Sequence, residues 1–241
     1  MRQVVTIFLV SLLGFSLLAC RGIRGSGTII EKEVPISMVR SVSLSASGDV
    51  RIIIGDEEKL LISGDDNIIE LLDTEVRDGH LELGRMRQRG TYIQSSKTIE
   101  FTVYVRQIEA LNLAGSGEIN VENTVNAERF ELTLSGSGNI IVQAIEAEHI
   151  EATITGSGDA VIRDGKVNFL NVGITGSGRF DGRGLAAISA DVAISGSGDV
   201  YTRVEENLAA SVTGSGDVEY WGRPTVSSQT TGSGSVVNRG S

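Results

Sequence analysis

The chain holds a single cysteine, two prolines and two histidines in 241 residues, and only 5% of it is aromatic. One cysteine excludes a disulfide scaffold and any cysteine-based zinc site. His80 and His149 leave little for metal or acid–base chemistry. With four lysines and a net charge of −10, the chain lacks the clustered cations that nucleic acid requires, so no nucleic-acid partner is expected. Scarce aromatics beside 30 glycines argue against a helical bundle and for a β-rich repeat with a thin core. No Gly-x-Ser-x-Gly elbow occurs, and no cofactor motif is found. The chain is therefore not read as an enzyme, and no cofactor is expected.

What is present begins with an address. Arg2 supplies a minimal positive region, and Val4 to Leu18 is an apolar stretch too short for a comfortable membrane span. It ends in Leu17-Leu18-Ala19-Cys20, which resembles a bacterial lipobox, with the chain's one cysteine at the lipidated position. A thioether cannot oxidise or mispair, which explains a lone thiol in an oxidising envelope. Several acyl chains on one residue give stable anchoring. Residues 1–19 are read as a lipoprotein signal peptide and 20–27 as the lipidated tether, with the membrane as partner through Cys20. Arg21 rather than Asp follows the cysteine. By resemblance to the enteric sorting rule this favours the outer membrane, with the surface and periplasmic faces both open.

From residue 115 the sequence repeats. Gly-Ser-Gly recurs as Gly115 and Gly117, Gly136 and Gly138, Gly156 and Gly158, Gly176 and Gly178, Gly196 and Gly198, Gly214 and Gly216, and Gly232 and Gly234, in steps of 21, 20, 20, 20, 18 and 18 residues. A period near 20 marks a solenoid. Two residues after each motif stand Ile119, Ile140, Ala160, Phe180, Val200, Val218 and Val236. Two residues before it stand Leu113, Leu134, Ile154, Ile174, Ile194 and Val212, with Thr230 breaking the row. Six residues before it stand Phe130, Ile150, Leu170, Ala190, Leu208 and Val226. Polar residues alternate with these, which is strand periodicity.

Each repeat thus reads as strand, Gly-Ser-Gly turn, strand and a far-side turn that absorbs changes in length. One such coil cannot bury its apolar row alone, whereas stacked coils can. The expected fold is all-β: a parallel β-solenoid of two sheets, right-handed by the usual chirality of parallel crossovers. Glycine in the turns supplies backbone with φ > 0 and lets stacked chains approach closely. The serine hydroxyl is expected to bond a neighbouring turn's backbone.

Residues 28–114 read as a β-rich cap with irregular rungs, continuous with the 115–241 repeats as one body. Strand-like runs occur at Val39 to Leu44, Val50 to Ile54, Leu60 to Ile62, Leu81 to Leu83 and Ile99 to Val105. Asp78-Gly79 predicts a tight hairpin turn. Asp65-Asp66-Asn67 before Ile68, Ile69, Leu71 and Leu72 predicts a short helix capped by the acids. Gly25-Ser26-Gly27 and Ala46-Ser47-Gly48 are candidate outlying turns of the repeat.

These residues resemble the auto-transporter adhesin head domain family, also called the head GIN domain. The resemblance rests on the lipoprotein signal, on Val42-Ser43-Leu44-Ser45-Ala46-Ser47-Gly48-Asp49-Val50, on Asp65-Asp66-Asn67, and on the units Ile194 to Val200 and Val212 to Val218. It covers roughly residues 25 to 238. It implies a two-sheet superhelix similar to pectin-lyase-like folds, without catalytic residues, and a role in adhesion. It carries over no functional residue, because the shared motif is structural.

Candidate sites each have a plainer alternative. Asp159, Asp199 and Asp217 follow the turns and resemble calcium-binding β-rolls, yet Arg179 interrupts the column and turn capping serves as well. Thr153-Ile154-Thr155 has the form of an ice-binding array, but the row Asn112, Thr133, Thr153, Gly173, Ala193, Ser211, Gln229 is broken. Tyr201 and Trp221 are a candidate sugar platform or a plug on the last rung. Arg85, Arg87 and Arg89 are candidates for lipid or phosphate headgroups, or a solvated hairpin tip. Asp164 and Lys166 with Arg163 are the nearest approach to a polysaccharide lyase, and Asp164-Gly165 reads first as a turn.

The expectation is a lipid-anchored outer-membrane protein acting as a non-catalytic adhesin-like or scaffolding module, with a glycan or protein ligand. Homo-oligomerisation through the edge at Val236 to Ser241 is expected too. The rivals are a periplasm-facing structural lipoprotein and a polysaccharide-acting enzyme.

Overall fold

The computed structural model of the chain describes residues 22–45, 47–84 and 92–240. The signal peptide, Cys20 and the arginines at Arg85, Arg87 and Arg89 lie outside the described residues. Strands β1 (Gly22–Arg24), β2 (Ile29–Pro35), β3 (Ser41–Leu44), β4 (Asp49–Ile54) and β5 (Lys59–Asp65) precede a one-turn helix, α1 (Asp66–Ile69). Next come β6 (Val76–Arg77) and β7 (His80–Leu83), which pair antiparallel. Asp78 and Gly79 between them have φ of +52° and +77°. Two left-handed residues in a row are what a two-residue hairpin turn needs, so the Asp-Gly signal reads correctly. β8 (Tyr92–Gln94), β9 (Glu100–Val105) and β10 (Ala110–Gly115) lead into the repeats.

The repeats comprise β11 (Glu118–Gly136), β12 (Asn139–Gly156), β13 (Asp159–Ile162), β14 (Gly165–Gly176), β15 (Arg179–Gly196), β16 (Asp199–Gly214), β17 (Asp217–Trp221), β18 (Thr225–Gly232) and β19 (Ser235–Asn238). Every pairing among them is parallel, and the inward column two residues after each Gly-Ser-Gly turn is apolar throughout. Ile119 registers with Ile140, Ile140 with Ala160, Ala160 with Phe180, and Phe180 with Val200. The result is a β-solenoid of about six turns. Its inward rows are buried as the alternation predicts, from Ile119 through Val218. Phe180 fits a thin core because Ala160 lies on one side in its column and because Gly182 beside it is bare. A Cβ there would stand 2.7 Å from the Phe180 ring.

The two glycines of a turn serve different needs. At Gly176 φ is +121° and a Cβ would lie 2.4 Å from the Gly156 carbonyl oxygen, so both conformation and space demand glycine. At Gly178 space alone decides, with a Cβ 2.5 Å from the Gly158 oxygen. The serine departs from expectation. The bond to the neighbouring turn comes from its backbone, with the Ser177 N–H donating to the Gly156 carbonyl at 2.8 Å. Its side chain sits at the apex of the bend and is exposed.

The far side of each coil is also more than a turn. Thr124–Ala127 register with Ala144–Ala147, and the ladder continues at Gly165, Lys166 and Val167 and again at Leu185, Ala186 and Ala187. Two inward columns hold this segment against the core, one with Val125, Ile145 and Leu185 and the next with Val167, Ala187 and Val204. The register shifts that absorb differing coil lengths fall at its borders, between Val121 and Thr124 and between Gly182 and Ala186.

The N-terminal half is threaded out of order. β3 pairs in parallel with β10 on one side and β7 on the other, and β4 likewise lies between β11 and β9. The chain therefore builds one coil at residues 41–54, leaves it to lay down a further layer, and returns past it to resume at β10. Gly48 is a stacked turn of that coil, since a Cβ on Gly117 would lie 2.2 Å from its carbonyl oxygen. β5 then pairs antiparallel with both β9 and β2 and closes this end.

Gly25-Ser26-Gly27 is not a rung turn. It wraps the start of α1, and a Cβ on Gly25 would meet the Asp65 carboxylate at 2.2 Å. Asp65 itself makes no side-chain cap to the helix. Its buried carboxylate accepts the Gly27 N–H at 2.8 Å and, from Ser96, the N–H at 2.8 Å and the hydroxyl at 2.6 Å. The Ser96 hydroxyl above all holds this carboxyl below its ordinary pKa. The capping expectation fails because three donors from elsewhere in the chain satisfy the acid better than a one-turn helix would.

The two ends differ in charge. β2 carries Glu31, Lys32, Glu33 and Pro35, all unfavourable to further pairing. β18 at the other end reads Thr-Val-Ser-Ser-Gln-Thr-Thr-Gly, exposed along its whole length and without charge. Arg239 is drawn back onto the preceding coil by Glu219, at 2.6 Å.

Candidate functional site

Sequence alternation dictates a patterned outer face on the strand that precedes each Gly-Ser-Gly. Because Phe130, Ile150, Leu170, Ala190 and Leu208 point inward, the residues on either side of them point out. Register then assembles them into columns. Glu151, Asn171, Asp191 and Ala209 align in one, and Thr153, Gly173, Ala193 and Ser211 in the next. Bulky or polar side chains surround small ones at Gly173, Ala193 and Ala209. The outcome is a trough of about 780 Å³ that runs across successive coils from Glu151 and Thr153 to Ser227 and Gln229. That volume is in the range of small-molecule sites.

An aromatic rim borders the trough. His149 registers with Phe169 in the column next to Glu151 and Asn171, and their rings stack with centroids 5.0 Å apart and planes 21° from parallel. Phe169 is 51% exposed, whereas Phe101, Phe130 and Phe180 are wholly buried. On the same rim Arg129 donates to the Glu151 carboxylate at 2.9 Å. Asp191 makes no ion pair among the described residues and is exposed. The trough thus offers a flat apolar ring at its edge and a carboxylate, an amide and hydroxyls along its length. Such a set can stack on a ligand and bind its polar groups, but it aligns no nucleophile with a base.

Of the residues singled out from sequence, Thr153, Gly173, Ala193, Ser211 and Gln229 of the broken row line the trough, and the other described candidates lie elsewhere. Tyr201 is half-buried, and the Arg183 guanidinium sits 5.3 Å from its ring centre. Arg183 is held there by Asp181, which accepts from its Nε at 2.9 Å. Burial pushes the Asp181 carboxyl up, but the Arg183 hydrogen bonds outweigh this and hold it below the ordinary value. Trp221 is half-buried at the end of β17, and its register partner is Arg203.

Asp159 pairs with Arg179 at 3.6 Å. Asp199 accepts the Asp217 N–H at 3.2 Å, and Asp217 accepts the Ser235 N–H at 2.8 Å and its hydroxyl at 2.7 Å. Each of these last two acids satisfies the coil above it. Among the described residues no group of three or more His, Cys, Asp or Glu is placed to hold a metal ion. Asp164 accepts its neighbour Gly165's N–H at 2.8 Å, the geometry of a turn.

Comparison with known proteins gives one family. The family described as “Putative auto-transporter adhesin, head GIN domain” matches residues 40–224. A crystal structure of a “putative adhesin” from Bacteroides fragilis superposes with a TM-score of 0.84 at 23% identity, covering 90% of this chain and 100% of that one. A “putative lipid binding protein” from Parabacteroides distasonis gives 0.76 at 23% identity, covering 90% and 99%. A “putative adhesin” from Parabacteroides merdae gives 0.74 at 18%, covering 90% and 98%. Likeness at these identities is a likeness of fold. No curated protein matches the chain.

Proposed function

The chain belongs to the auto-transporter adhesin head GIN domain family, and from that premise we propose that it is an adhesin-like, non-catalytic binding module of the cell envelope, tethered through lipid on Cys20. The observation that carries this reading is the trough with its exposed ring. Its stacking ring, carboxylate, amide and hydroxyls, with no nucleophile set against a base, suit contact rather than covalent chemistry. Register repeats the contact groups from coil to coil, so weak individual contacts add along one ligand. The lipobox-like Leu17-Leu18-Ala19-Cys20 supports the tether, and the short segment between it and β1 would hold the solenoid close to the membrane.

Protease treatment of intact cells, with metabolic acyl labelling, tests the reading. External protease is expected to remove the wild-type protein, and Cys20→Ala is expected to lose the label and leave the membrane fraction. Protection until the outer membrane is opened would replace the adhesin role with a periplasm-facing structural one.

A further inference from the structure

We propose that the trough between Glu151 and Gln229 is a carbohydrate-binding site for an uncharged oligosaccharide laid along the solenoid axis, with Phe169 on His149 as its stacking platform. This deepens the binding-module reading and rests on it. The argument starts from an anomaly of composition. In a chain with so few aromatics, an exposed Phe must gain its place by something other than core packing. Phe169 is backed on one side by the His149 ring and has only the small Ser189 as its register partner on the other, so its orientation is fixed before any ligand arrives while half of it stays exposed. A pyranose ring has an apolar face of C–H groups that matches such a surface, and a polar perimeter that does not.

The surroundings answer the perimeter. Asn171 stands two residues along the same strand from Phe169, about 6.6 Å away, and its register partner Asp191 is about 4.8 Å across. A carboxylate without an ion pair accepts from sugar hydroxyls, and an amide both donates and accepts. Ser211, Ser227 and Gln229 extend the polar lining. From Glu151 to Ser227 the trough crosses coils for about 19 Å, enough for a chain of a few rings. Gly173, Ala193 and Ala209 make the floor a smooth strip of backbone and methyl groups in an open groove, which offers no enclosed apolar pocket for the side-chain anchor of a peptide. Arg129 neutralises Glu151, but Asp191, without an ion pair among the described residues, and a net charge of −10 disfavour acidic sugars.

The test is an array of uncharged, amine-bearing and acidic oligosaccharides probed with the full-length protein, with affinities then measured by calorimetry. Binding is expected among the uncharged members. Phe169→Ala is expected to weaken it about tenfold, and Gly173→Tyr, which projects a ring where a Cβ meets nothing within 4 Å, to abolish it. Both substitutions are at the surface, so both proteins should melt like the wild type. Silence across the uncharged members, a preference for the acidic ones, unchanged binding in a folded variant, or displacement by short peptides alone would overturn the proposal. Cell-surface exposure without glycan binding would sink the ligand class and spare the outward-facing module. Glycan binding by a protein shielded inside the envelope would do the reverse.

Discussion

Replacing one turn glycine in the middle of the solenoid and one strand glycine on its face should give opposite results. Gly176→Ala puts a side chain at φ +121°, a strained region that costs about 1–3 kcal/mol. Its Cβ would also stand 2.4 Å from the Gly156 oxygen and 3.2 Å from that residue's carbon and nitrogen. All three are backbone atoms of a coil paired on both sides, so relief requires the stack itself to shift, at about 1–3 kcal/mol more. The sum is a loss of about 2–6 kcal/mol. Gly173→Ala meets nothing within 4 Å and has no positive φ. It should be neutral or stabilise by about 0.5–1 kcal/mol through the lost flexibility of glycine. Gly232→Ala presents the same strain and a contact of 2.2 Å to the Gly214 oxygen. Its coil is the last one described, however, and can swing away, so the loss should be smaller and local. Urea unfolding followed by circular dichroism gives the stabilities, and amide exchange locates the loosened coils. Equal midpoints for the Gly176 and Gly173 variants, or a loss below about 1 kcal/mol at Gly176, would refute stacking as the reason for the motif.

Other consequences can be measured directly. The Thr202 hydroxyl is buried without a hydrogen-bond partner, so Thr202→Val should raise stability by about 1 kcal/mol in the same urea assay; a loss would show that the hydroxyl is satisfied. Asp65 has its pKa lowered by folding, so its contribution is present above the unfolded value of 3.8 and disappears as pH falls through the lower folded value. Acid titration of unfolding should therefore show a step in the wild type that is absent from Asp65→Asn, which is less stable at neutral pH; identical profiles would exclude this carboxylate as the tie. The uncharged β18 is expected to pair antiparallel with β18 of a second copy, and sedimentation should then show a dimer that Ser228→Lys dissociates. A single-chain mass at all concentrations would reject that pairing.

Much of this architecture was legible because stacking turns a sequence alignment into a map. Aligning on Gly-Ser-Gly placed Ile140, Ala160 and Phe180 in one inward column, and the register agrees. The same alignment held the trough in plain view. The row in which Gly173 and Ala193 interrupt Thr153 looks like a failed regular lattice, but the interruption is what makes the face concave. Phe169 was also within reach, since it precedes the inward Leu170 and period two must turn it outward. Less accessible was the threading of the N-terminal half. Nothing local in β3 says that its two neighbours come from residues 80–83 and 110–113, because that choice is settled by long-range competition for one sheet edge. The partners of Asp65 were hidden for the same reason, its donors being 38 and 31 residues away in sequence.

That out-of-order threading also bears on how the protein comes to be folded. Within the repeats, neighbouring strands are about one coil apart in sequence, whereas contacts between residues 40–54 and 109–123 span 69 residues. Closing the longer loop costs about 1 kcal/mol more in entropy and slows the step. The coil at 41–54 also has no partner on either side until β7, β9 and β10 exist. The repeats from residue 115 are thus the first able to nucleate, and assembly should run from them toward the N-terminal half. This order leaves the N-terminal segment open until the body that it joins has already formed.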